Sequence, residues 1–290
     1  MDISKIKALT FDTGGTILDW HTGFRDSLAA LGEKYGVEAD WAALANDMRR
    51  GSLGRMLNLG KDGPPTYNFD GAHAAALDDV LKENGLDAAT PEERRAIWWD
   101  KVHSLQCWPD FPAVLPKLKE KYICASFTIL SFRIVIDTAR QNGISWDSVI
   151  SCEAFGKYKI LPEAYQTAAK LLQLEPHEIC MVACHNFDLD AAKGQGYNTA
   201  FVRRPDEWGP AGPPDPTANP IHDIIVDGIS AGQFAAIDAR LTASMTKAML
   251  QDWYLKRGKY RAQNTSVSRY GAHLRALLRA HLGLAQPAVV

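Results

Sequence analysis

The segment KIKALTFDTGGTILDW, residues 5–20, is apolar up to Asp12 and then falls at once into Gly14, Gly15 and Thr16. A carboxylate on the end of a buried strand, followed by glycines that let the chain turn and a ligand come close, is placed as a nucleophile. The same Asp could instead cap the next helix. Further polar groups close apolar runs downstream: Thr128 ends YICASFT, Lys159 stands three residues ahead of Pro162 in KYKILPEAY, and His185, Asn186 and Asp188 follow ICMVAC. Each has an ordinary reading on its own, as a strand-end hydroxyl, a solvated loop lysine or an N-cap. Together, a hydroxyl, an ammonium and a second carboxylate converging on Asp12 would make one reactive site.

The elements that must position these groups are short β-rich runs, IKALTFD, YICASFT, SVISCEA, ICMVACH, NTAFVRR and DIIVDG. Helical patterns separate the later ones at about 132–142, PEAYQTAAKLLQL and DLDAAKGQG, which implies a parallel sheet buried on both faces. The gap over 18–107 is too long for a crossover and shows helical apolar spacing with Gly and Pro punctuation. The expected fold is therefore α/β: a Rossmann-like parallel core over 1–17 and 108–230, with a helical cap inserted over 18–107. The cap would sit at the carboxyl end of the first strand, the edge at which open α/β sheets bind ligands. Residues 205–222 are rich in Pro and Gly and read as an extended loop. Residues 231–290 read as a basic helical extension; from 241 onward it holds eight Lys or Arg against one acid, Asp252. A frayed basic tail is the favoured reading there, over an oligomer contact.

Composition narrows the function classes. A chain of 290 residues with 46% hydrophobic content can bury a large core unaided. Net charge of −2 and a pI near 6.4 give no reason to expect nucleic acid or an anionic membrane as a partner. There is no apolar run long enough to span a bilayer and no signal-peptide pattern at the N-terminus, so a cytoplasmic location is expected. The five cysteines lack CxxC spacing, and Cys124, Cys152, Cys180 and Cys184 lie in apolar runs, which suits reduced core thiols better than a structural zinc site.

Along residues 1 to about 228 the sequence resembles the haloacid dehalogenase superfamily. The resemblance rests on four ordered motifs: FDTGGT with Asp12, SFT with Thr128, KYKILP with Lys159, and ACHNFD with Asp188. Ser131 in ILSF is a rival to Thr128 for the second motif. Most members transfer phosphoryl groups, using an acid two residues after the nucleophile and magnesium held by an acid four residues before the last motif Asp. Those positions here are Gly14 and Cys184. Magnesium takes thiols poorly, and Asp190 is the one stand-in ligand nearby.

The resemblance accordingly implies the 2-haloacid dehalogenase branch, which works without a metal or other cofactor. Asp12 would displace halide from a short halogenated carboxylic acid to form an aspartyl ester, which water activated near Asp188 would hydrolyse. Lys159 would keep Asp12 ionised. His185, standing where better-known relatives carry asparagine, would position the water. Thr128, Gly14, Gly15 and Asn186 would hold the substrate, Phe187 would wall it, and Arg49, beside Arg50 in the cap, would supply a cation. Two departures loosen the substrate assignment: Gly14 stands where an aromatic is expected, and Ile129 where an asparagine is. A phosphatase or phosphonatase of the same fold is the runner-up, and a catalytically retired binding protein the third reading. The expectation includes no nucleic-acid or membrane partner and leaves room for a homodimer.

Overall fold

The structure is a computed structural model that describes residues 2–62 and 66–227, together with positions 266, 269, 270 and 274. The basic extension expected over 231–290 thus lies almost wholly outside the described residues. The chain divides into two units, 1–228 and 229–290, and the elements that follow belong to the first. Among the described residues no helix is long and apolar enough to cross a membrane.

Six strands form one parallel sheet: β1 (Ala8–Phe11), β2 (Ile123–Thr128), β3 (Ser148–Ser151), β4 (Ile179–Ala183), β5 (Asn198–Arg203) and β6 (Ile224–Asp227). Their order is β3-β2-β1-β4-β5-β6. The strand carrying Asp12 is therefore interior to the sheet. Phe11 is in register with Ser126 of β2 and Val182 of β4, and the Asp12 amide donates to the Val182 carbonyl at 2.9 Å. This register delivers Asp12, Thr128 and His185 to one edge. The strands read as apolar runs because helices can cover both faces; Ala8, Cys124, Phe127, Ile179 and Met181 are all buried. The connecting helices are α5 (Phe111–Lys119), α6 (Phe132–Gln141), α7 (Pro162–Leu172) and α8 (Asn186–Gly194).

The cap is inserted after β1 and holds α1 (Trp20–Tyr35), α2 (Trp41–Met56), α3 (Phe69–Glu83) and α4 (Pro91–Arg95). Each start is capped by a short polar side chain: Asp19, Asp40 and Asn68 accept from backbone amides, and Thr90 with Glu93 forms a capping box. The segment PEERRAIWWDKVHSL lies in the stretch whose apolar spacing is helical. In the structure it passes from α4 into a wider π turn at Ala96–Lys101 and a 3₁₀ turn at Val102–Ser104. The cap's apolar faces meet through Phe24, Leu28, Met48, Phe69 and Leu77, all fully buried. At its neck Leu18 pairs with Cys107, the Asp19 amide donates to Gln106, and Arg204 binds Asp110 through two nitrogens.

Candidate active site

Asp12 is buried and bonded on both oxygens. Lys159 Nζ approaches Oδ1 at 3.3 Å; Thr16 Oγ1 donates to Oδ2 at 2.8 Å, and His185 Nδ1 lies 3.3 Å from that oxygen. Burial pushes the carboxyl's pKa up, but the cations of Lys159 and His185 outweigh it and hold Asp12 well below the usual carboxylate range. Lys159 also donates to Asp188 Oδ2 at 2.7 Å, and Tyr165 donates to Asp188 Oδ1 at 2.7 Å. Asp188 is raised, mainly by burial and further by the charge of Asp12, against the pull of Lys159. Burial opposes the charge on Lys159, yet the two acids raise its pKa. The two carboxylates are thus driven apart: Asp12 is the stronger anion, and Asp188 anchors the ammonium between them.

The other side of Asp12 is built from a loop. His185 is the N-cap residue of α8 but makes no capping bond, so its ring is free to lie across the site. Its Nε2 meets Glu207 Oε1 at 2.9 Å, and the same oxygen accepts from Trp20 Nε1 at 3.0 Å. Burial raises Glu207, but His185 and then Arg49 more than compensate, so its pKa is lowered. His185 behaves in the opposite sense: burial disfavours its charge, and the neighbouring acids raise it well above its ordinary value. Burial pushes the Cys184 thiol up to about 11, so it is uncharged at neutral pH. The attraction on the ring at that pH therefore comes from Glu207 and Asp12.

Arg49 enters from α2 and is buried. Its Nη2 donates to the Gly14 carbonyl at 3.2 Å, and its guanidinium lies 5.3 Å from the Trp20 ring and 5.9 Å from that of Phe69. Its Nε has no hydrogen-bond partner among the described residues. Arg49, Asp12, Gly14, Thr128, Lys159, His185, Phe187 and Asp188 line one cavity of about 10 Å³, closed on the cap side by Leu53 and Leu57.

Eight of the ten residues singled out by sequence thus meet at this cavity, and two do not. Asn186 faces away: its amide and Nδ2 bond to Asp215 and its Oδ1 accepts from the Asn219 amide, because the first turn of α8 points it at the loop before β6. Gly15 does not face the cavity either. It has φ +94°, and a Cβ there would sit 2.0 Å from Glu207 Oε1, so its role is to let Glu207 pass beneath the nucleophile's turn. Between the two candidates for the second motif, Thr128 lines the cavity, whereas Ser131 caps α6 by accepting from the Ile134 amide. Asp190 accepts from Asn219 Nδ2, and Asn219 belongs to that same outer loop. Sequence reasoning missed Glu207, Tyr165 and Thr16. The available signals were weak: an acid beside Trp208 in a Pro/Gly loop, and two consecutive glycines after the nucleophile.

Among the described residues, the groups beside Asp12 do not suit magnesium, which takes oxygen ligands. The position beside Asp12 carries a thiol and an imidazole, and Lys159 already supplies the positive charge.

Comparison with known proteins bears on the family. A haloacid dehalogenase-like hydrolase profile matches residues 6–196. The chain is 28% identical to (S)-2-haloacid dehalogenase 1 of Pseudomonas sp. (strain CBS-3), over 69% of this chain and 85% of that one. It is 25% identical to (S)-2-haloacid dehalogenase 4A of Burkholderia cepacia, over 70% and 85%. Among solved structures, the defluorinating L-2-haloacid dehalogenase Rha0230 superposes with a TM-score of 0.69 at 33% identity, covering 76% of this chain and 90% of that one. The L-2-haloacid dehalogenase PA0810 gives 0.69 at 32%, covering 76% and 94%. With a parallel sheet, a cap inserted after β1, a carboxylate at the end of β1 and a profile spanning both parts, the chain belongs to the haloacid dehalogenase-like hydrolases.

Proposed function

We propose that the protein hydrolyses short 2-haloacids in two steps at Asp12, without a metal. An ionised Asp12 oxygen attacks C2 of the substrate; the C–X bond breaks, halide leaves with the bonding pair, and an aspartyl ester forms. Backside displacement inverts C2. With Asp12 esterified, the His185 Nδ1 proton it held passes to solvent. Water then adds to the ester carbonyl as Nδ1 takes one of its protons, and the acyl–oxygen bond breaks with the other proton going to the leaving alkoxide, returning the Asp12 carboxylate and a 2-hydroxy acid. Glu207 holds the opposite ring nitrogen and so fixes which nitrogen faces the water. Once the ester has formed, Asp12 is no longer an anion, and one of the two acids that hold a proton on His185 is gone. The free Nε of buried Arg49 is a donor suited to the substrate carboxylate or the departing halide.

The observation that carries this reading is a buried carboxylate held ionised by a lysine, with Gly14 where phosphoryl transfer needs an acid. The small cavity supports short substrates, since about 10 Å³ is room for roughly one water before the cap opens. The test is halide release from chloroacetate and 2-chloropropionate with EDTA present, beside phosphate release from an aryl phosphate with magnesium. Halide release that survives EDTA and is lost in Asp12→Asn supports the proposal. Magnesium-dependent phosphate release without halide release overturns it in favour of a phosphatase.

A further inference from the structure

The groups around His185 also form a triangle of a different kind. Cys184 Sγ lies 3.5 Å from His185 Nε2 and 3.5 Å from Glu207 Oε2, while His185 Nε2 and Glu207 Oε1 are 2.9 Å apart. All three residues are buried, and among the described residues this is the one grouping of three such donors within 4.8 Å. A tetrahedral zinc ion has bonds of ~2.3 Å to sulfur and ~2.0–2.2 Å to nitrogen and oxygen, which puts its ligands about 3.3–3.6 Å apart. Both edges at sulfur already have that length, the carboxylate meeting sulfur through Oε2. The imidazole meets the other oxygen, Oε1, at 2.9 Å, so the carboxylate must turn to present one oxygen to the ion and open that edge by roughly half an ångström, within the reach of a glutamate side chain. A thiolate, an imidazole and one carboxylate are a set for zinc-class ions and a poor one for magnesium or calcium. The absence of CxxC spacing could not reveal it, because two ligands are neighbours in sequence and the third is a glutamate in the loop after β5.

We propose that Cys184, His185 and Glu207 form a zinc-class cation site that overlaps the water-activating pair, and that filling it stops ester hydrolysis. On binding, the thiol releases its proton to solvent and the Nε2 lone pair takes the ion in place of a proton. The remaining ring proton then resides on Nδ1, so that nitrogen cannot accept one from water. Asp12 is untouched, so the first displacement still proceeds and the enzyme halts as its ester. The inhibition rests on the proposed reaction; the binding does not.

The test has two independent arms. Cobalt(II), titrated into chelator-stripped protein, is expected to bind one equivalent with a thiolate-to-cobalt charge-transfer band. The band should persist in Cys107→Ser and vanish in Cys184→Ser, with circular dichroism showing both variants folded. Cys184→Ser should also bind zinc at least ~100-fold more weakly. No band in the parent protein, or a band that survives Cys184→Ser, overturns the site. If Cys184→Ser fails to fold, Glu207→Gln replaces it, and an unweakened cobalt affinity there overturns the site as well. In the second arm, zinc should block steady-state halide release, reversibly with EDTA, and intact-mass analysis should show the substrate adduct on the chain. Full turnover with the site loaded overturns the switch. A protein that releases no halide under any condition removes the proposed function, while the cobalt band still decides the site.

Discussion

Among the described residues, two histidines are buried between pairs of carboxylates. His185 lies between Asp12 and Glu207 at the sheet edge. His103, in the segment returning from the cap, lies between Asp70 of α3 at 3.0 Å and Asp137 of α6 at 2.8 Å, with the Trp99 ring stacked on it at 4.0 Å. Both have raised pKa values for the same reason, acids that outweigh burial. The sets differ in what their acids do. Asp70 and Asp137 are fixed charges, and Asp137 is further neutralised by Arg133, so His103 serves as a clasp between cap and core. Of the acids around His185, Asp12 faces a cavity and in the proposed reaction loses its charge at every turnover. A histidine between two acids makes a clasp where both acids persist, and in the proposed reaction a proton acceptor where one of them is transient.

The severest way to break this contrast is to remove the transient acid. Asp12→Asn is expected to lower halide release by at least ~10³-fold, measured with chloroacetate under saturating conditions. A residual rate within tenfold of the parent would mean that Asp12 is not consumed. Glu207→Gln keeps the shape but weakens the hold on the ring, and should lower kcat by ~10²-fold. Its distinguishing sign is accumulation of the ester, seen by intact mass after a rapid quench; equal slowing of both steps would deny Glu207 a part in hydrolysis. Arg49→Lys retains a charge but loses the planar fork, and is expected to lower kcat/KM about tenfold, mostly through KM. The mildest effect on turnover should come from the clasp, with His103→Asn staying within about threefold of the parent rate.

The clasp should show itself in stability, and the sign follows from the direction of the shift. The folded-state pKa of His103 lies above its unfolded value of about 6.5, so its contribution is complete below pH ~6.5 and is lost as pH rises through the folded pKa. The parent should therefore exceed His103→Asn in thermal midpoint most at pH 6, by the equivalent of about 1–2 kcal/mol, with the gap shrinking toward alkaline pH. A gap that widens with pH would show that the imidazolium is not what the two acids hold.

What the sequence could disclose follows from how local each signal is. Asp12, Thr128 and Asp188 are legible because each closes or follows an apolar strand, and parallel register brings strand ends to one edge. Lys159 is legible by its spacing within the family motifs. Arg49 rests on a single helical match, yet α2 carries it to Gly14. Glu207 was hidden because nothing local marks it: its place is set by Trp20, His185 and the missing side chain at Gly15, contacts that span about the whole length of the core. Asn186 misled for the converse reason. Adjacency to His185 suggested a shared site, but successive residues in the first turn of a helix point in different directions, and this one was turned to the loop that it braces.

The cavity over Asp12 has room for about one water, and even a haloacetate, with its five heavy atoms, exceeds that space. The resting arrangement is therefore a locked door: for the proposed reaction to run, Arg49 and Leu53 of α2 and the neighbouring Leu57 would have to move away from Asp12 to admit substrate. If that opening paces turnover, added viscogen should slow kcat while leaving the trapped ester's own hydrolysis untouched, and a kcat indifferent to viscosity would show that opening is not limiting.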